Sequence, residues 1–419
     1  LDYEQYLILY SKALSFQGKL HEARALVELS LERTRSPKIL KEAFRLATRM
    51  GDRNWLEFLI NFEKESGLEL TEISKRKAAT ILGAEKLYYQ SLRKMASSDH
   101  LKKYIGNSFI QSCQSIDFKS NDKYFVLAYF GPGDEIRWAS TYRAIRDLVK
   151  PAHIQFSCDP RLHSLFSRSF HDLAFVPVKR TRSIRKFLDL DSINKLPGLE
   201  LHRHLDNRGW LEVERSDYVS LQVDLLSDVI DSHTQIDGKS FLSPDSDLVV
   251  SWGKRLNKNK GSRKKVGICW RSSVLSTERS QHYFDISHVE CLIKSLPDYD
   301  FYCLQYDDCS VELEWLAQRQ PGSLHYFEDI DYYNDFENVA ALICNLDHVI
   351  APATTIAELA GALGVDTVLF SLTSEMKWRH RPGGTTDVWH SSVIHMCPDT
   401  SGDIINLCDK IVRYFVGIR

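Results

Sequence analysis

Twice along the chain, short apolar runs alternate with stretches whose apolar residues recur every three or four positions. That alternation narrows the possible folds more than any other feature. The first series begins at Tyr124 with YFVLAYF. It continues through EIRWASTYRAIRDLV, where Ile136, Ala139, Tyr142, Ile145 and Leu148 keep helical spacing, and then HIQFSC, PRLHSLFSRSF and LAFVPV. The second runs VGICW, ISHVECLIKSL, YDFYCLQY, VELEWLAQ, LHYFED, DFENVAALICNL, HVIAPA, TIAELAGALG and DTVLFSL. Strands that are apolar throughout and alternate with helices build parallel sheets covered on both faces. The chain therefore reads as α/β, with two Rossmann-like domains over 106–250 and 262–400 and a cleft between them. Residues 186–250 complete the first sheet and begin a crossover. A closing helix in 401–419, with its apolar stretch from about Asp403 to Phe415, is expected to pack back on the first domain.

Ahead of this lies a segment of different character. From residue 1 to about 105 the pattern is helix after helix, with Leu7, Tyr10 and Leu14, then Ala23, Leu26, Val27 and Leu31 in step. Gly18 ends the first helix and Pro37 closes the second. Gly51 follows Gly18 by 33 residues, close to the roughly 34-residue period of tetratricopeptide repeats. Residues 1–105 are thus expected to form an all-α, tetratricopeptide-like module that shares no sheet with the rest and is separable from it. A generic bundle of helical hairpins is the alternative.

Composition excludes several classes. Lys+Arg number 54 against Asp+Glu 56, a net charge of −2, so nothing global points to nucleic acid or an anionic membrane. One stretch, KRLNKNKGSRKK, carries Lys254, Arg255, Lys258, Lys260, Arg263, Lys264 and Lys265 without an acid and reads as an interdomain linker or a patch for an anionic partner. No apolar run is long enough to span a membrane, and Asp2 and Glu4 stand where a secretion signal needs basic residues. With nine cysteines and no CxxC, buried reduced thiols in a cytoplasmic protein are expected. The Asp-x-Asp triplets Asp189/Asp191, Asp245/Asp247 and Asp329/Asp331 read as chance matches, and no HExxH occurs; no metal site is expected.

Candidate chemistry gathers at strand ends. Gly131-Pro132-Gly133-Asp134 stands between the first strand and its helix, where glycines let a ligand approach backbone amides. Asp134 is there either a helix cap or a carboxylate facing the cleft, and Glu135 should point elsewhere. Ala353-Thr354-Thr355 opens another helix, with hydroxyls and N–H groups suited to a diphosphate, and Glu358 one turn on suits sugar hydroxyls or the first turn itself. Arg271 and Ser272 follow VGICW, and the Arg is suited to phosphate. Trp378, after the last strand, is a stacking platform if exposed and a structural residue if not.

These motifs together resemble a bacterial group. NDFENVAALICNLDHVIAPATTIAELAGALG, VGICWRSS followed by Arg279-Ser280, YFGPGDEIRWAS and SPDSDLVVSWGKRL, in this order, resemble the tetratricopeptide–glycosyltransferase fusions related to the heptosyltransferases. The resemblance implies the GT-B architecture and a cytoplasmic, metal-independent, inverting enzyme. A nucleotide sugar would be its substrate, with no further cofactor. It also implies that Asp134 is the catalytic base; the strand-end motifs make Gly133, Arg271, Ser272, Thr354, Thr355, Glu358 and Trp378 the candidates for holding the donor. Where the family has an Asp and a His around this helix start, the chain has Ala353 and Glu358. The expected acceptor is a protein recruited by the repeats, for example a flagellin or an adhesin. The alternatives are a lipopolysaccharide or capsule precursor, or a non-catalytic nucleotide-binding scaffold.

Overall fold

The computed structural model describes residues 2–70, 72–93, 96–181, 190–256, 263–273, 280 and 282–417. Asp189, Lys258, Lys260 and Arg279 lie outside them. Seven helices come first: α1 (Tyr3–Phe16), α2 (Leu20–Thr34), α3 (Pro37–Met50), α4 (Arg53–Ser66), α5 (Glu72–Ile81), α6 (Glu85–Leu92) and α7 (Ala96–Ile105). Gly18, Gly51 and Gly83, at φ +77°, +60° and +78°, turn α1 into α2, α3 into α4 and α5 into α6. Only glycine takes that left-handed conformation freely, so these residues set the hairpin rhythm. Pro37 opens α3 rather than closing α2. Ser36 caps the helix and Pro37 takes its first position, where a missing N–H costs nothing. The fully buried Ala23, Ala43 and Ala47 let the hairpins approach closely around Val27, Phe44 and Leu56.

The last two of these helices belong to a different core. Tyr89, Leu92 and Leu101 are buried together with Phe125, Leu127, Val219 and Leu221 of the first sheet. Arg93 pairs with Asp228 and donates to the Asp224 carbonyl at 2.6 Å. The expected separable module is corrected on this point. The leading segment shares no strand with the rest, but α6 and α7 cover one face of the first sheet, so a cut at residue 105 runs through a continuous core.

The first sheet is parallel, in the order β3 (Ala174–Pro177), β2 (His153–Cys158), β1 (Lys123–Leu127), β4 (Tyr218–Leu221). The second is parallel too. Its order is β10 (Val393–Met396), β9 (Asp366–Phe370), β8 (His348–Pro352), β5 (Lys264–Ile268), β6 (Tyr299–Cys303), β7 (Leu324–His325). Its edge strand β10 is additional to the five apolar runs of the sequence. The closing helix Ile404–Gly417 buries Leu407, Cys408, Ile411 and Phe415 against Val289 and Leu292 of the second half, not against the first as expected. Its apolar stripe finds there a complementary face on the helix Ile286–Ser295.

The halves meet through α8 (Pro132–Ala139) and the helix Thr355–Leu363, whose Ile136, Ala139, Ile356 and Leu359 share one core. Replacing the fully buried Leu101 by Ala should cost about 2–5 kcal/mol of the stability of the first sheet. Urea denaturation of the full chain checks this, and a loss below about 0.5 kcal/mol would show α7 to be a peripheral attachment.

Candidate functional site

Two strand ends build the site. After β1 the chain passes through Phe130, held at φ +65°, before Gly131 and Pro132 start α8. A non-glycine residue in that region is strained, and such strain collects at functional turns. After β8, Ala353 and Thr354 lead into the helix Thr355–Leu363. Neither helix start is capped by a side chain. Gly131 has none, and the Thr354 hydroxyl donates to the Pro352 carbonyl at 3.2 Å. Both open onto a cleft of about 1270 Å³, at the carboxyl edges of the two sheets where open α/β folds bind ligands. The first-turn N–H groups of two helices therefore face one space, and both dipoles favour an anion there.

The two glycines of the turn divide the work. A side chain on Gly131 would meet nothing within 4 Å, whereas a Cβ on Gly133 would lie 3.3 Å from the Cα and the Oγ1 of Thr355. Gly133 thus lets the two helix starts touch. Both glycines line the cleft.

Asp134 lines the cleft, with 34% of its side chain accessible, and its Oδ1 accepts from Arg137 at 3.0 Å. Burial raises its pKa above the ordinary carboxylate value; Arg137 opposes the rise and Glu358 adds to it. Glu135 points inward instead. Fully buried, it pairs with Arg180 and accepts the Asp159 N–H at 2.8 Å.

Glu358 does not offer itself to sugar hydroxyls. Its Oε1 accepts from Arg137 at 2.6 Å and from Arg379 at 2.7 Å, and its Oε2 from Arg379 at 3.2 Å and His390 at 3.0 Å. The side chain is 2% exposed. Despite burial, the two guanidiniums and His390 hold its pKa well below the usual range. Arg379 continues the network to the buried Asp387 at 2.5 Å, which His395 also reaches at 2.6 Å. Burial lowers the pKa of His395, so in its neutral form it donates Nε2–H to that carboxylate.

Two further expectations change. Arg271 is not part of this cleft's lining. It is locked to Asp307 at 2.8 Å, to Glu312 at 2.5 Å and to the Asp308 carbonyl at 2.9 Å, and it borders a smaller neighbouring cavity. Trp378 is 7% exposed and stacks on Tyr88 of α6 at 5.2 Å, forming the seam with the helical segment. Ser272, Thr354 and Thr355 do line the cleft. The Asp-x-Asp carboxylates have structural partners: Asp245 caps Asp247 and Leu248, Asp329 takes Arg255, and Asp331 caps Tyr333 and Asn334. Among the described residues, no cluster of three or more His, Cys, Asp or Glu is placed to hold a metal ion, and no helix is long and apolar enough to cross a membrane.

The sequence alone assigns no role to Arg137, Asp387 or Arg379, the last of which it marks only as a neighbour of Trp378 after the last strand. Arg137 had a signal, an i, i+3 partner for Asp134. The other two are brought in by a loop after β9 that no local pattern marks.

No protein-family model matches the chain. Protein FlbA of Caulobacter vibrioides is 29% identical over 265 residues, 63% of this chain and 41% of that protein. The chain spans about two fifths of the length of the curated relative it matches. Solved structures similar to it include the glycosyl transferase family 9 protein from Veillonella parvula, at 9% identity over 71% of this chain and 99% of that one, with TM-score 0.49. They also include E. coli ADP-heptose lps heptosyltransferase II, at 12% identity over 71% and 98%, with TM-score 0.42. A third is E. coli heptosyltransferase WaaC with ADP-2-deoxy-2-fluoro heptose, at 11% over 70% and 99%, with TM-score 0.40.

Glu358→Gln should cost about 3–5 kcal/mol at neutral pH, because it leaves two buried guanidiniums short of a counter-charge. The depressed pKa fixes the sign of the pH dependence. The stabilisation is complete above the unfolded value of about 4.3 and fades as pH falls towards the folded one. Thermal melts should therefore show the gap between parent and variant closing below about pH 4; a gap that stays constant there would show that the charge of Glu358 contributes nothing.

Proposed function

We propose that the chain is a glycosyltransferase of GT-B architecture, acting in the cytoplasm, that moves a sugar from a nucleotide-activated donor to a protein acceptor. The helical hairpins, read as tetratricopeptide-like repeats, bring the acceptor to the cleft. One observation carries the reading: two helix starts without a capping side chain and a carboxylate of raised pKa, Asp134, converge in a single cleft between two parallel sheets.

In this reading the donor diphosphate rests on the Thr354/Thr355 helix start, where first-turn N–H groups and the Thr355 hydroxyl meet its charge. Asp134 takes the proton of the acceptor hydroxyl as that oxygen attacks the anomeric carbon. The bond from that carbon to the phosphate oxygen breaks and the nucleoside diphosphate leaves. Attack opposite the leaving group inverts the anomeric centre. The charge on the diphosphate is met by the helix start, without a divalent cation. Arg137, one turn from Asp134 and anchored on Glu358, fixes the direction of the carboxylate. A glycan precursor of lipopolysaccharide or capsule is the competing acceptor within the same chemistry.

The Asp134–Arg137 ion pair favours a second reading, a nucleotide-binding scaffold without transfer activity, because it keeps the carboxylate engaged. Kinetics separate the two. Asp134→Asn should lower kcat for transfer, or for donor hydrolysis, about 10²–10⁴-fold while leaving nucleotide affinity by calorimetry unchanged. Because the base works deprotonated and its pKa is raised, the parent rate should climb with pH at values above about 4, and that limb should vanish in the variant. Equal turnover by parent and variant would remove Asp134 from the chemistry, and absence of turnover with any nucleotide sugar would leave the scaffold.

A further inference from the structure

The helical segment supplies one wall of the cleft. On α3 the residues Lys38, Lys41 and Arg45 follow each other at steps of three and four, one stripe of the helix surface that lines the cleft, and the buried Arg49 one turn on donates to the Ser15 hydroxyl at 2.5 Å. The opposite stripe of the same helix, with Ile39, Ala43, Phe44 and Ala47, is buried in the core of the hairpins. Lys12 of α1 and Arg76 of α5 flank the basic stripe in the same cleft.

Charge pairing on the two sides of the cleft differs. On the α/β side, Arg137 is held by Asp134 and Glu358, and Arg161 by Asp159 at 2.9 Å. On the helical side, Glu42 takes Arg45 at 2.7 Å and Glu375 takes Lys77 at 2.5 Å. Lys38 is shared between Asp2 and Glu4, each at 3.9 Å. Lys12, Lys41 and Arg76 form no ion pair among the described residues. Uncompensated positive charge in a concave site raises the local concentration of anions. It lies on the helical side of the cleft that the two helix starts also line.

We propose that this wall recognises an acidic polypeptide segment: the acceptor carries Asp or Glu residues beside the hydroxyl that is modified. The proposal rests on the glycosyltransferase reading for the location of the hydroxyl, at Asp134, and deepens it by naming the class of acceptor. Steps of three and four residues along a helix place the cations about 4.5–6 Å apart along its axis. Alternate side chains of an extended peptide recur at about 6.6 Å. A peptide lying along α3 can therefore present an acid to successive cations while its hydroxyl reaches into the cleft.

The test uses the full chain and two fluorescent decapeptides, each with a central Ser. One has Asp and Glu at alternate flanking positions and the other Asn and Gln. Anisotropy should show the acidic peptide binding more tightly, with an affinity that falls steeply as salt rises. In the triple variant Lys12→Gln/Lys41→Gln/Arg76→Gln, which changes cleft-wall positions outside the hydrophobic cores, the acidic peptide should bind about tenfold more weakly, the sum expected of three modest charge contacts. Affinity for ADP and UDP should stay unchanged. Equal binding of the two peptides overturns the proposal, as does an unaltered acidic-peptide affinity in the triple variant. If the variant loses nucleotide affinity instead, the wall belongs to the donor. If oligogalacturonate binds with the same sensitivity to the three substitutions and the acidic peptide does not, the ligand is an acidic glycan. Failure of both nucleotides to bind the parent chain strikes the glycosyltransferase reading itself, whereas the peptide comparison reads the wall independently.

Discussion

Everything else in the molecule is arranged around one carboxylate held between two guanidiniums. Glu358 belongs to the second half, Arg137 to the first, and Arg379 to the turn after β9 that also carries Trp378 into the helical segment. Removing such charges from water is costly, and their mutual attraction offsets the cost only when every donor and acceptor is used. Glu358 accepts five hydrogen bonds from Arg137, Arg379 and His390, and Asp387 supplies the second charge that Arg379 needs. The halves of the cleft are therefore held by more than an apolar seam. Separating α8 from the helix Thr355–Leu363 would expose Ile136 and Ile356 and strand a buried ion pair in the same movement.

The same clasp sets the state of Asp134. Arg137 is its only ion-pair partner among the described residues, and that arginine is shared with the more deeply buried Glu358. Asp134 thus receives only part of a compensating charge, while Glu358 adds a like one nearby. Burial raises the pKa of Asp134 beyond what Arg137 offsets, whereas two guanidiniums and His390 overcome burial at Glu358, so the two carboxylates of one cleft are displaced in opposite directions. Such divergence separates a group that exchanges a proton from one that stays charged. Lys41 of α3 takes no part in this balance and forms no ion pair among the described residues, which leaves its charge facing the cleft.

Much of the fold was legible because parallel strands buried on both faces read as unbroken apolar runs. YFVLAYF and HVIAPA announce β1 and β8, and the glycine turn and the paired threonines that follow them mark the helix starts. The short strands β4 and β10 carry four residues each and left weaker traces. Pro37 was misread because a proline after a helix and a proline opening the next look alike until Ser36 is seen as a cap. The position of α6 and α7 was illegible for a different reason. Tyr88, Tyr89 and Leu92 show that the helix has an apolar face, but not whether hairpins or a sheet will cover it. Arg271 and Glu358 were assigned by residue type, and in each case acids or guanidiniums distant in sequence had already taken the side chain.

The departure at the second helix start becomes intelligible once its neighbours are known. The family that the chain resembles has a histidine where Glu358 stands. In this fold a histidine there would face Arg137 and Arg379 with no carboxylate between them, and each protonation would place a third cation in a buried space. The glutamate is therefore coupled to the two arginines: either change alone is unfavourable and the set together is neutralised. On the reading proposed above, a negative charge one turn inside the helix offsets positive charge near the donor phosphates, and Thr355 supplies the nearer contacts, because the N–H and hydroxyl of Thr354 both donate to the Pro352 carbonyl, at 2.6 and 3.2 Å. With Ala353 in place of the family's acid, the mouth of the helix start carries no carboxylate, and the negative charge of this turn lies instead in the clasp beneath it, where Glu358 joins the halves.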